Sequence, residues 1–205
     1  WTDDHTNGMI PRILEEISPH AFLYLVNALA FEATWLDEYE DGDVQYATFT
    51  CEDGSARTAK LMHSQESAYL EDGLATGFVK RYEGGRFAFA ALLPNEGTSV
   101  SDYAASLTGE GLRATLENAR HDVDVDAALP KFSGDWGCDL AGALGALGMA
   151  DALDPDRADL SGMAGDPGDL FVGSVVHKTH VEVDERGTKA AAVTAVMMEC
   201  GAAMI

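Results

Sequence analysis

The chain's chemically competent side chains are six histidines, three cysteines and thirty-five carboxylates, and few of them stand at a spacing that catalysis uses. The sequence has no GxSxG, no Walker-type phosphate loop, no HExxH and no CxxC. His177 and His180 lie three apart in a stretch that reads as a strand, so they face opposite sides and cannot share a metal. Ser161, in Asp159-Leu160-Ser161-Gly162, has no base patterned near it. Cys51, Cys138 and Cys200 are odd in number and far apart, which indicates neither a disulfide framework nor a zinc site. These absences predict a protein that is not an enzyme and holds no cofactor or metal. What remains is chemistry done to the chain. Val181–Thr194 (VEVDERGTKAAAVT) runs from a strand pattern through a charged turn with Gly187 into a tract of small residues.

Small residues waste core volume, so a long tract of them needs a reason. As a strand, the tract has one face made of Thr188, Ala190, Ala192, Thr194, Val196, Met198 and Cys200. The other face is Lys189, Ala191, Val193, Ala195, Met197 and Glu199, and it carries both charges. Such a strand would be about 40 Å long, far beyond the usual length. An alanine-rich helix starting after Gly187 fits the composition equally well, because alanine is the best helix former and a poor strand former.

Glu185-Arg186-Gly187-Thr188-x-Ala190-Ala191-Ala192-x-Thr194 resembles the hinge of the reactive-centre loop of inhibitory serpins. Asn27-Ala28-Leu29-x-Phe31-x-Ala33-x-Trp35 resembles that family's third strand of sheet A. Leu92-Leu93-Pro94, Leu129-Pro130-Lys131-Phe132, Ala158 to Gly162 and His177-Lys178 follow in the family's order, so the resemblance covers nearly the whole chain. It implies an α+β serpin fold, mainly antiparallel sheets A, B and C with a few helices, as part of one domain from residue 1 to 205. It implies a suicide substrate: a protease cuts the exposed loop, and the freed loop inserts into sheet A. The alternative is a non-inhibitory serpin that acts as a carrier or chaperone-like binding protein.

Further implications follow residue by residue. Glu185, Gly187, Thr188, Ala190, Ala191, Ala192 and Thr194 form the hinge; the inward positions among them are neither charged nor bulky nor proline. Counting fourteen residues on from Gly187 places the reactive bond at Gly201–Ala202, with Cys200–Gly201 or a bond near Met204 as alternatives. Small residues there suit an elastase-like or subtilisin-like serine protease; Cys200–Ile205 has no Arg or Lys for a trypsin-like one. Asn27 and His177 resemble the shutter pair that hydrogen-bonds between strands of sheet A. Trp35 matches the tryptophan at the breach, and Lys131 with Glu185 matches a hinge ion pair. The family also implies loop–sheet self-association and an extracellular or cell-surface setting. A serpin is nearly twice this long, so the chain is read as lacking the N-terminal half and the last strands.

Thirty-five acidic against thirteen basic side chains give a net charge of −22. That excludes a phosphate-binding footprint, hence nucleic-acid partners, and favours a dispersed, strongly solvated surface. No apolar run approaches the length of a membrane span.

The positioning elements read as follows. A turn at Asn7-Gly8 precedes a short helical piece bearing Ile13, Leu14 and Ile17. Phe22–Phe31 is an apolar strand. Hairpin punctuation at Asp53-Gly54, Asp72-Gly73 and Glu83-Gly84-Gly85 separates strands at 44–49, 59–62, 67–70, 77–81 and 87–93. Helices are predicted at 102–107 behind Ser101, at 109–119 behind Thr108 and through Leu140, Leu144 and Leu147. Asp122–Asp126 alternates as a surface strand, 151–169 is loop and 170–183 is strand.

Overall fold

A computed structural model describes residues 1–18 and 20–200, with Cys200 described by its backbone. In chain order the elements are α1 (Thr2–His5), β1 (Ala21–Thr34), β2 (Val44–Thr50), β3 (Ala56–Glu66), β4 (Tyr69–Glu71), β5 (Ala75–Arg81) and β6 (Ala88–Pro94). Then come α2 (Val100–Ser106), α3 (Gly109–Glu117), β7 (Val125–Pro130), β8 (Phe132–Asp139), α4 (Ala141–Leu144), α5 (Ala150–Leu153), β9 (Leu170–Val183) and β10 (Gly187–Cys200). Among the described residues three sheets form: a four-stranded one in the order β1-β10-β9-β8, and two three-stranded ones, β2-β3-β7 and β4-β5-β6. The chain divides into two compact units.

The first unit comprises residues 1–32, 133–182 and 189 onward. Its entry is set by local chemistry. Asn7 and Gly8 both take positive φ, 51° and 78°, and reverse the chain after α1. Thr6 is buried and its hydroxyl both donates to the Thr2 carbonyl at 2.7 Å and accepts from the Ile10 amide at 3.0 Å. The reversed segment carries no helix at Ile13, Leu14 and Ile17, contrary to expectation; it runs irregularly. Ile10 and Ile13 instead press onto Ala191, Val193 and Ala195 of β10, with Met9, Leu14, Ala28 and Val176 around them. A residue larger than alanine at 191 or 195 would push that cover away, so the small side chains fit two layers rather than one.

Of the two conformations that the composition of β10 allows, the chain takes the strand. The face that carries Lys189 and Glu199 is not the open one: Ala191, Val193 and Ala195 on it are almost fully buried, while Ala190, Ala192 and Thr194 are half-buried. One strand was not expected: β8 (FSGDWGCD) is an exposed edge strand with two glycines, too polar to read as strand. The helix through Leu140, Leu144 and Leu147 is closed at Gly148, whose φ of 110° no helix tolerates, and α5 follows it in a stretch that reads as loop.

The second unit comprises residues 33–132 and 183–188. The two hairpin sheets and helices α2 and α3 lie here. Ser99 rather than Ser101 caps α2, accepting from the Asp102 amide, and Thr108 caps α3 through the Gly111 amide. Trp35, Met62, Leu70, Phe78, Tyr82, Tyr103 and Leu129 are among its buried apolar residues.

Candidate functional site, a hinge and the strand behind it

The turn between β9 and β10 is built by Asp184. Its Oδ1 accepts the amides of Arg186 and Gly187 at 2.8 and 3.1 Å, and its own amide donates to the Gly187 carbonyl at 3.0 Å. Gly187 must be glycine for packing rather than for dihedral reasons. A Cβ there would lie 2.1 Å from the Ala33 carbonyl oxygen. β10 therefore leaves the turn in close backbone contact with the end of β1.

Trp35 sits at that point, 1% exposed. Its backbone amide donates to the Arg186 carbonyl at 2.8 Å, and its Nε1–H donates to the Asp184 carbonyl at 2.9 Å. The indole stacks on Tyr82 with centroids 4.6 Å apart and meets the edge of Phe89 at 5.7 Å. Tyr82 in turn donates its hydroxyl to Thr188 Oγ1 at 2.7 Å, which satisfies the first buried hydroxyl of β10. Burial holds the Tyr82 phenol above its ordinary pKa, so it stays a donor. Lys131 Nζ lies 2.6 Å from Glu185 Oε2. The hydrogen bond from Lys131 is the main cause that holds the Glu185 carboxyl below the usual carboxylate range.

Farther along β10, Thr194 Oγ1 lies 2.7 Å from His177 Nδ1 on β9, and the Trp136 ring meets His177 edge-on at 6.1 Å. Tyr24 near the start of β1 donates its hydroxyl to Met197 Sδ at 3.4 Å. Contacts at 24 with 197 and at 33 with 187 mean that β1 and β10 run antiparallel.

The structure corrects the predicted Asn27–His177 pair. Both residues belong to the four-stranded sheet, but β10 lies between their strands. Asn27 is exposed, and Thr194 occupies the histidine's hydrogen-bonding position. The physical reason is that an intervening strand separates its two neighbours by two strand spacings, roughly 10 Å. Gly201, Ala202 and Met204, and the side chain of Cys200, lie outside the described residues. Among the described residues the other chemically competent groups do not converge: His180 pairs with Asp135 at 2.7 Å, and Ser161 donates to Asp159 at 2.6 Å in an exposed turn. Lys80 went unnoticed in the sequence, although it is buried beside Trp35. Its only signal was that it shares a strand face with buried Phe78.

The protein-family model for serpins, serine protease inhibitors, matches residues 1–204. The chain belongs to the serpin family. Leukocyte elastase inhibitor A from Rattus norvegicus is 33% identical over 205 residues, covering 95% of this chain and 54% of that protein. Tengpin, a thermophilic serpin solved in the latent state, superposes with a TM-score of 0.88 at 42% identity, over 96% of this chain and 54% of that one. A serpin solved as a loop C-sheet polymer gives a TM-score of 0.88 at 39% identity, covering 98% of this chain and 52% of that one. The serpin chain here thus spans about half the length of the relatives it matches. Its fold is the serpin α+β fold with antiparallel sheets A, B and C; β1-β10-β9-β8 is its part of sheet A.

Proposed function

We propose that the serpin to which this chain contributes inhibits serine proteases as a suicide substrate, with Gly187–Cys200 as the segment that enters sheet A. One observation carries the reading: that segment, small-residued and beginning at Gly187, lies paired between β1 and β9. A protease serine attacks the Gly201 carbonyl, its Oγ forms an ester to that carbon, and the Ala202 amine leaves with the proton the serine gave up. The released strand then gains backbone hydrogen bonds along both edges, each worth roughly 0.5–1.5 kcal/mol net. It also buries Ala191, Val193 and Ala195. Insertion carries the acylated protease away from the geometry that deacylation needs. The serpin itself transfers no group and regenerates nothing, so it acts as an inhibitor rather than an enzyme.

Small residues around the bond favour an elastase-like or subtilisin-like target, and an elastase inhibitor stands among the relatives. The hinge pair Lys131–Glu185, Trp35 at the sheet's opening and His177 on the neighbouring strand are assigned to insertion on the same grounds. Entry of one molecule's segment into another's sheet would give self-association by the same pairing chemistry. Incubating the full-length protein with elastase tests the reading. An SDS-resistant complex and a released peptide that begins at Ala202 are expected. Cleavage without a complex would refute inhibition, and a complex with another peptide start would refute the assigned bond.

A further inference from the structure

A lysine amid aromatic rings, with a single carboxylate and almost no water, has to be held there for a reason. Lys80 on β5 is 3% exposed. Its Nζ donates to Glu66 Oε1 at 2.9 Å and lies 4.3 Å from the centroid of the Tyr39 ring and 5.7 Å from that of Trp35. Glu66 is fixed in turn, since Ser64 Oγ donates to the same oxygen at 2.7 Å and lies 3.4 Å from the Tyr39 hydroxyl. The two rings that flank Lys80 belong to the two residues whose backbone amides grip the hinge. Trp35 N–H holds the Arg186 carbonyl, and Tyr39 N–H holds the Glu185 carbonyl at 3.0 Å. An ammonium attracts aromatic faces through their quadrupoles, and does so most strongly when desolvated.

We infer that Lys80 is a positioning residue for loop insertion: its ammonium, anchored by Glu66, braces Trp35 and Tyr39 so that both present their amides and the Trp35 Nε1–H to the turn at Asp184–Arg186. This inference rests on the proposed insertion reading and deepens it. An apolar side chain in this place would pack against the rings but would not fix their tilt. The charge makes the site directional, and Glu66 makes the charge tolerable in a buried setting.

The test uses the full-length protein labelled with 5-fluorotryptophan, with the Trp35 19F resonance assigned by its loss in Trp35→Phe. Lys80→Met keeps the length and removes the charge; Lys80→Arg keeps the charge. The Trp35 resonance is expected to move in Lys80→Met and to return towards its original position in Lys80→Arg. On elastase challenge, the partition should shift by about tenfold from trapped complex to cleaved free serpin in Lys80→Met, with the cleavage rate unchanged. An unmoved Trp35 resonance overturns the inference, and so does a moved resonance with an unaltered partition. If the unaltered protein traps no protease, the insertion reading fails by itself, and the resonance of Lys80→Met against Lys80→Arg still decides whether Lys80 positions Trp35. Should Lys80→Met not fold, Glu66→Gln, which strips the anchor, must displace the same resonance; no displacement overturns the inference.

Discussion

Replacing Val193 by Asp should leave the loop cleavable and stop the strand from entering the sheet. Val193 is 0% exposed and packs with Ile10, Ile13, Ala191 and Ala195. Burying a valine contributes about 1.5–3 kcal/mol, and forcing an unpaired carboxylate into that place adds several kcal/mol more. The sum is at least about 4 kcal/mol, or roughly a thousandfold in the insertion equilibrium. Lys189→Glu, on the same strand face but exposed, is the matched control. The assay is a thermal melt of the full-length protein before and after elastase cleavage. The unaltered protein and Lys189→Glu should melt at higher temperature once cut, while Val193→Asp should be cut at the same rate and gain nothing. A Val193→Asp protein that gains as much as the unaltered one would refute the claim that β10 is buried by insertion beneath residues 9–14.

Gly187→Ala should weaken insertion by about 1–3 kcal/mol, because the new methyl meets the Ala33 carbonyl and backbone must shift; the gain in melting temperature on cleavage reports it. The Glu185 carboxyl, held low chiefly by Lys131, contributes stability that is full above its unfolded pKa and fades as pH falls through its lower folded value. Lys131→Met should therefore flatten the acid limb of a stability–pH curve by at most about 1 kcal/mol, the pair being partly exposed. With a net charge of −22, self-repulsion should make the melting temperature rise steeply with added salt up to molar concentrations, and a flat response would contradict that account.

Local chemistry was legible in the chain and long-range neighbours were not. The reversal at Asn7-Gly8, the Thr108 cap and the hairpin sites follow from residues within a few positions of one another, so the sequence alone determines them; the need for glycine at 187 comes from the distant Ala33 carbonyl. The parity of β10 was legible as well. Its conformation was not, because alanines favour a helix until β1 and β9 offer two rows of unpaired backbone groups. Which of its faces is deeper was decided by Ile10 and Ile13, some 180 residues away in the chain. Asn27 and His177 were rightly placed in one sheet, but a strand between them is a tertiary event that no spacing encodes. Lys80 reads as an ordinary surface lysine and becomes the buried support of Trp35 only where β5, the end of β3 and the segment after β1 converge. The sequence sets what each segment can become, because propensity, turn geometry and side-chain size act locally. The tertiary structure decides which of those options is taken, because burial and strand pairing depend on partners that only folding brings near.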